Sequence, residues 1–145
     1  MAGPLPRARR LLRCERGLAA LEFVLVAPPL LMLAFATIIY ALYFSVFLGV
    51  RQAASEGARS AMAGLSSAER TSLAQARAQE VMDGYGALLA GGEISEISAQ
   101  PAGDGLFEVR VSYDLSASPI MRYAGFVPLP GSVVTSSVLV TNGSY

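Results

Sequence analysis

The chain has 145 residues and a formal net charge of zero, with eleven basic residues, eleven acidic ones, no histidine and a single cysteine, Cys14. One cysteine forbids an intrachain disulfide, and without histidine the usual zinc and haem ligand sets cannot be assembled, so no cofactor is expected. Hydrophobic residues make up 53%, which is high for a soluble domain and natural for a small protein with one membrane helix.

The zero charge hides an asymmetry. Residues 1–17 hold five arginines and one glutamate, +4, whereas residues 18–145 hold six arginines against ten acids, −4. The main body therefore has no basic patch to offer a nucleic acid. No G-x-S-x-G or P-loop spacing appears, so neither an enzyme nor a small-molecule substrate is expected. All the basic residues are arginine.

Residues 1–17 read as a short, basic, proline-broken leader without a fold of its own. Under the positive-inside rule its arginines keep this end cytoplasmic and send the C-terminus outward. From Phe23 to Val50 the chain carries no charge over 28 residues, more than the ~20 apolar residues that cross a bilayer. Ala34-Phe35-Ala36 imitates a signal-peptide cleavage site, but the apolar run continues from Thr37 through Val50, and a signal peptide ends near its cut. Pro28 and Pro29 deprive the carbonyls of Val24 and Leu25 of their helical donors, so a kink or an opened turn is expected there, either simply tolerated or used as a hinge.

Glu22 stands at the mouth of the uncharged run and admits two readings. In one it sits at the cytoplasmic boundary, paired with Arg13 or Arg16 and favoured by the positive end of the helix. In the other the chain is cut after Gly17, Leu18 becomes a free α-amine one turn from Glu22, and the carboxylate balances that amine or a neighbour's. On charge alone the two stand level. The Gly17 spacing favours the second, because a glycine closing a basic leader five residues before a glutamate at the head of an apolar helix resembles a type IV prepilin processing site.

Arg16-Gly17-Leu18-Ala19-Ala20-Leu21-Glu22-Phe23-Val24-Leu25-Val26-Ala27-Pro28, with Arg51-Gln52-Ala53-Ala54-Ser55-Glu56-Gly57-Ala58-Arg59 after the apolar run, resembles the TadE-like family of pseudopilins, or minor pilins, of the tight-adherence (Flp, type IVb) pilus. The resemblance covers residues 13 to about 63. It implies that Gly17 is the last leader residue for a prepilin peptidase and Leu18 the new first residue, with Glu22 and Phe23 as the assembly and processing pair. It also implies that Glu56, Gly57 and Arg59 form a family motif on the exit helix. Leu18 departs from pilins that begin with phenylalanine.

Past Val50 the helix is expected to continue to about residue 63. Arg51, Gln52, Ser55, Glu56, Arg59 and Ser60 fall on one side, with Ala54, Gly57, Ala58 and Ala61 opposite. Ala41, Ser45, Gly49, Ala53, Gly57 and Ala61 place a small residue at every fourth position, a pattern that lets helices approach closely, although such residues are frequent throughout this chain. Gly64 is the expected stop.

Ser66-Ser67-Ala68-Glu69 reads as a capping box opening a second helix. Its apolar positions are Leu73, Ala76, Val81, Tyr85, Leu88 and Leu89, and Arg70, Arg77, Glu80 and Asp83 are expected on a solvated face. Gly84 and Gly86 weaken its end, and Gly91-Gly92 terminate it. Phe107, Val109, Val111, Tyr113 and Leu115 alternate with polar residues as a half-buried strand. The turn-forming stretch Pro101–Gly105 predicts an antiparallel partner in 93–99, where Ile94 and Ile97 fail to alternate. Residues 132–141 have the β-branched content of a third strand. A brief helix is expected between Ser118 and Gly125, followed by a turn at 128–131, with Tyr123 and Phe126 covering the core.

The expected fold class is α+β: a long transmembrane helix extending outward, a second helix, and a small antiparallel sheet of about three strands. The expected divisions are the leader 1–17, the span and exit helix 18–63, and an extracytoplasmic domain 64–145. Two functions fit. One is a pseudopilin of the bacterial inner membrane, with the bilayer, a prepilin peptidase, other pilins and the pilus assembly machinery as partners, and possible incorporation in an extracellular pilus. The other is an uncleaved single-pass protein whose periplasmic domain binds a partner.

Overall fold

The computed structural model describes residues 15–141; the leader through Cys14, and residues 142–145, lie outside the described residues. Helix α1 runs from Glu15 to Ala61 over 47 residues. The uncharged run and the polar-apolar alternation that follows it are one continuous helix. Its helical course continues through Pro28 and Pro29. It ends slightly earlier than expected, at Ala61, where Met62 N donates to Arg59 O at 3.3 Å and Gly64 N to Ala61 O at 3.2 Å, tightening the last turn.

The chain divides into two compact units, one ending at Ile38 and the other beginning at Ile39. The first unit, over its described residues, is the N-terminal stretch of α1. Its apolar side chains are exposed almost throughout, Leu25 at 75% being an example. Thr37 Oγ1 donates to Leu33 O at 2.9 Å, the way a hydroxyl is satisfied inside an apolar helix.

The second unit contains the rest of α1, helix α2 (Ser67–Tyr85), and three strands, β1 (Glu93–Gly103), β2 (Leu106–Asp114) and β3 (Val133–Thr141). The sheet is antiparallel with β2 in the centre. The helices cover one face. Ala58, Ala61, Ala74, Ala99, Phe107 and Val109 form a buried cluster there, flanked by Val138 and Val140. The other face carries Glu108, Arg110 and Ser112, with Arg110 donating to Glu108 at 2.8 Å and Ser112 Oγ 3.0 Å from Thr135 Oγ1.

Helix α2 begins as the capping chemistry requires. Ser66 Oγ accepts from Glu69 N at 3.2 Å, while the Glu69 carboxylate reaches back one residue further than in the standard box, to Leu65 N at 2.9 Å. Replacing Ser66 with alanine strands the Glu69 amide, and a loss of about 1 kcal/mol is expected in thermal unfolding of the full chain in detergent. The buried face of α2 is centred on Ala74, Ala78 and Met82, which are fully buried; of the expected apolar positions Leu73, Val81 and Tyr85 are half-buried, Leu89 is buried just beyond the helix, and Ala76 and Leu88 are exposed. Small side chains occupy this face because α1 passes close to it. The helix stops at Tyr85, with Gly86 at φ 43°, and tightens into a 3-10 turn over Gly86–Leu89.

The irregular spacing of Ile94 and Ile97 is a bulge. Ile94 opposes Tyr113 and Ile97 opposes Val111, with the register shift between Ile94 and Glu96 absorbing one residue. Strand β1 is longer than the expected 93–99 and includes Pro101, which is tolerated because β1 is an edge strand. The hairpin to β2 turns on Asp104 and Gly105, both at positive φ (48° and 71°), the conformation that favours Asp-Gly in two-residue hairpins. The brief helix between β2 and β3 is a 3-10 turn, Pro119–Tyr123, capped by Ser118. Tyr123 and Phe126 do not cover the core: they are 40% and 78% exposed. Ile120 and Val127 take that place, both nearly fully buried.

Candidate assembly site

At the N-terminal end, Gly17, Leu18, Glu22 and Phe23 all lie in the helical conformation of α1 and are exposed. The Gly17–Leu18 bond thus falls within the first turns of the helix. Leu18 and Glu22 are related by i, i+4 and stand ~6 Å apart along the axis, a little over one turn. From Phe23 onward the next basic residue is Arg51. A cation for Glu22 must therefore come from the leader side, from an α-amine at Leu18, or from another molecule.

The motif on the exit helix marks the crossing of α1 and α2. A Cβ built on Gly57 would meet Ala74 O at 2.9 Å, Val109 Cγ1 at 3.2 Å and Ala78 Cβ at 3.3 Å. Only a hydrogen fits there. Glu56, one residue earlier, lies 3.7 Å from Arg77 of α2 and 4.0 Å from Arg59 of its own helix. Arg77 also donates to Glu80 at 2.8 Å, and the Glu80 hydrogen bond and charge, with a smaller contribution from Glu56, hold the guanidinium above its usual pKa. These pairs are largely solvent-exposed and bring little stability; of the three, only Glu56 with Arg77 joins the two helices.

The row of small residues on α1 is turned inward. Gly49, Ala53, Gly57 and Ala61 are buried, with Gly49 against Tyr85 and Leu89 and Gly57 against α2 and β2. Over this stretch the row packs helix on helix within the chain. Two arginines expected on a solvated face do more: Arg77 reaches Glu56, and Arg70 Nε donates to Gly64 O at 2.9 Å across the turn between the helices. The spacing i, i+3 exposes local pairs such as Glu56 with Arg59, but Arg77 is 21 residues from Glu56, and no local pattern signals that pair.

At the Ile39 end of the second unit, Tyr40 Oη donates to Pro128 O at 2.6 Å. Ser45 Oγ donates to Leu88 O, and Tyr85 Oη donates to Gln52 Oε1 at 2.8 Å. Ser118 Oγ, donating to Ala90 O, ties the Pro119–Tyr123 turn to the residue that closes the Gly86–Leu89 turn. Nearby, Asp114 accepts from the amide and hydroxyl of Ser116 at 2.7 and 2.6 Å, which holds its carboxyl below the usual carboxylate range. Among the described residues no group of three or more Cys, Asp or Glu is placed to hold a metal.

The arrangement is thus that of an α+β protein with one helix that is long and apolar enough to cross a membrane, only 6% of whose most apolar window is buried. That low burial separates it from the core helix of a soluble fold, and among the described residues it is one candidate span, as in a single-pass membrane protein. A family model described as TadE-like protein matches residues 17–59. Over this stretch, from Gly17 through the α1–α2 crossing, the chain is similar to the TadE-like family. Neither a curated protein nor a solved structure matches the chain.

Proposed function

We propose that this protein is a pseudopilin or minor pilin for assembly of the Flp (type IVb, Tad) pilus, processed by a prepilin peptidase after Gly17. The observation that carries the reading is the coincidence of three features in one TadE-like segment: Gly17 closing a +4 leader, Glu22-Phe23 five residues on, and an uncharged helix behind them. In this reading the leader stays in the cytoplasm, α1 holds the protein in the bacterial inner membrane, and residues from about 64 onward form a periplasmic domain. Other pilins and the assembly machinery are its partners. The role is structural, without catalysis.

The cut is the step to test. The chain contains no lysine, so its α-amine is the single primary amine, and an amine-directed tag followed by peptide mass analysis locates it without ambiguity. The expected result from pilus-producing host cells is a start at Leu18. A chain beginning at Met1 or Ala2 there sinks the pseudopilin reading and leaves an uncleaved single-pass protein. Gly17→Val is expected to accumulate as the full-length membrane precursor, because a branched side chain beside the scissile bond obstructs the peptidase and stiffens the helix that must open locally.

A further inference from the structure

The two edges of the sheet differ in what occupies them. Leu115 N donates to Ser132 O at 2.7 Å, so at this end β2 turns its bonding groups toward β3. These groups alternate between the two sides of a strand. Val109, Val111 and Tyr113 therefore also bond toward β3, opposite Val138, Ser136 and Val134. It follows that Ile97, Ala99 and Pro101 of β1 direct their backbone groups away from the sheet. On the other edge Val133, Thr135, Ser137, Leu139 and Thr141 of β3 do the same.

The β1 edge is closed. Gln75 Nε2 of α2 donates to Ile97 O at 3.3 Å and Thr71 Oγ1 to Ala99 O at 2.9 Å. Pro101 has no N–H to offer, and Glu93, Glu96 and the bulge between Ile94 and Glu96 further discourage pairing. The β3 edge has none of these devices. Val133–Thr141 contains no charge, proline or glycine, and its register against β2 is unbroken. Among the described residues, its outward amides and carbonyls meet no hydrogen-bond partner. The core is open at this edge too, since Val138 and Val140 pack against the buried cluster yet are only partly covered. Such an edge is a template for a further strand.

A second copy in the same membrane does not supply that strand. In the second unit α1 lies along the sheet, with Tyr40 at Pro128 beyond the end of β2, Gly57 at Val109, and Ala61 in the cluster with Phe107. Antiparallel pairing of β3 with its own copy turns one copy end for end about the sheet normal. The two α1 segments then run in opposite directions, which chains inserted by the same end cannot do. A copy displaced sideways without rotation offers its β1 edge, which is closed. We infer that the β3 edge is a docking surface for an uncharged, extended strand of a different polypeptide, with apolar side chains at alternate positions to cover Val138 and Val140. The exclusion of a second copy rests on the single-span reading of α1; the open edge does not.

The probe is a synthetic peptide of the sequence of residues 132–141, N-methylated at alternate residues so that only one of its edges can bond. In the full-length protein in lipid nanodiscs, amide hydrogen exchange is expected to be slow at Val134, Ser136 and Val138. It is expected to be fast at Thr135, Ser137 and Leu139 until the peptide slows it saturably. Ser137→Pro removes one outward N–H and leaves the ladder to β2 intact, so the melting temperature is expected to hold while the peptide binds ~10-fold or more weakly. The same peptide N-methylated at every residue is expected to leave exchange of the parent protein unchanged, a control that needs no variant. Slow exchange at the outward positions without peptide overturns the open edge. Slowing that grows with the number of copies per disc assigns the edge to a second copy and overturns the different-chain partner. No slowing by the peptide, or equal slowing by its fully methylated form, overturns the docking surface.

Discussion

Glu22→Ala is expected to yield a protein that is inserted and cut normally but supports no pilus. The carboxylate lies on the exposed face of α1, followed by 28 residues without a charge. Once the leader is removed, the arginines before Gly17 go with it, and the α-amine of Leu18 and the carboxylate of Glu22 are the charges left at that end. Between neighbouring molecules in an apolar setting they complement each other. Removing one member of a buried ion pair leaves the other uncompensated and costs ~3–5 kcal/mol, equivalent to more than a ~100-fold loss in association. Glu22→Asp, with a shorter reach, is expected to be intermediate. If Glu22 merely marks the membrane boundary, Glu22→Ala inserts as well or slightly better and piliation is unchanged. Electron microscopy of cells carrying a stable, processed Glu22→Ala protein separates the two, and normal pili there would refute an assembly role for the carboxylate.

The second large effect is expected at Gly57. An alanine on a helix interior ordinarily stabilises by ~0.8–1.0 kcal/mol relative to glycine. Here the new methyl group would stand 2.9 Å from a backbone carbonyl of α2, Ala74 O, which cannot swing aside as a side-chain tip can. Overpacking of this kind costs ~1–3 kcal/mol, so Gly57→Ala is expected to be net destabilising, and Gly57→Leu to displace α2 altogether. Gly84 is the control: it is helical, with nothing within 4 Å of its added Cβ, and Gly84→Ala is expected to raise stability by about 0.5–1 kcal/mol. Opposite shifts of the melting temperature for the same chemical change, of about 4–8 °C per kcal/mol, are the expected signature. A Gly57→Ala protein as stable as the parent would show that the helices do not cross this closely.

Much of the second unit was legible in the sequence because its signals are local. The alternation of Phe107 through Leu115, the capping serine at Ser66 and the turn residues ahead of β2 depend on neighbours a few positions away. What escaped depends on partners far along the chain. The face that α2 buries is centred on Ala74 and Ala78 beside Met82, with Leu73 and Val81 only half-buried, because the closeness of Gly57 leaves no room for larger groups there. Likewise Ile94 and Ile97 look out of phase until β2 supplies the bulged register. Hydrophobicity alone points to Tyr123 and Phe126 as core cover, but Ile120 and Val127, their neighbours in the same turn, fill that place. For the N-terminal site the position is reversed: Gly17, Glu22 and Phe23 stand out in the sequence, while their meaning lies in a cut and in neighbouring molecules.

The inward direction of the small residues on α1 governs how another helix can approach it. Helix axes are separated by about 8 to 10 Å according to the side chains between them, and glycine and alanine permit the short end of that range. Along α1 from Gly49 to Ala61 those residues already face the chain's own α2 and sheet. A second helix coming alongside before that stretch meets Phe44, Phe47 and Leu48, all exposed. Its axis is held toward the wide end of the range, in contact through rings and branched chains and not backbone to backbone. The close-packing surface of α1 past Gly49 is thus already used inside the chain, and is not open to a neighbour.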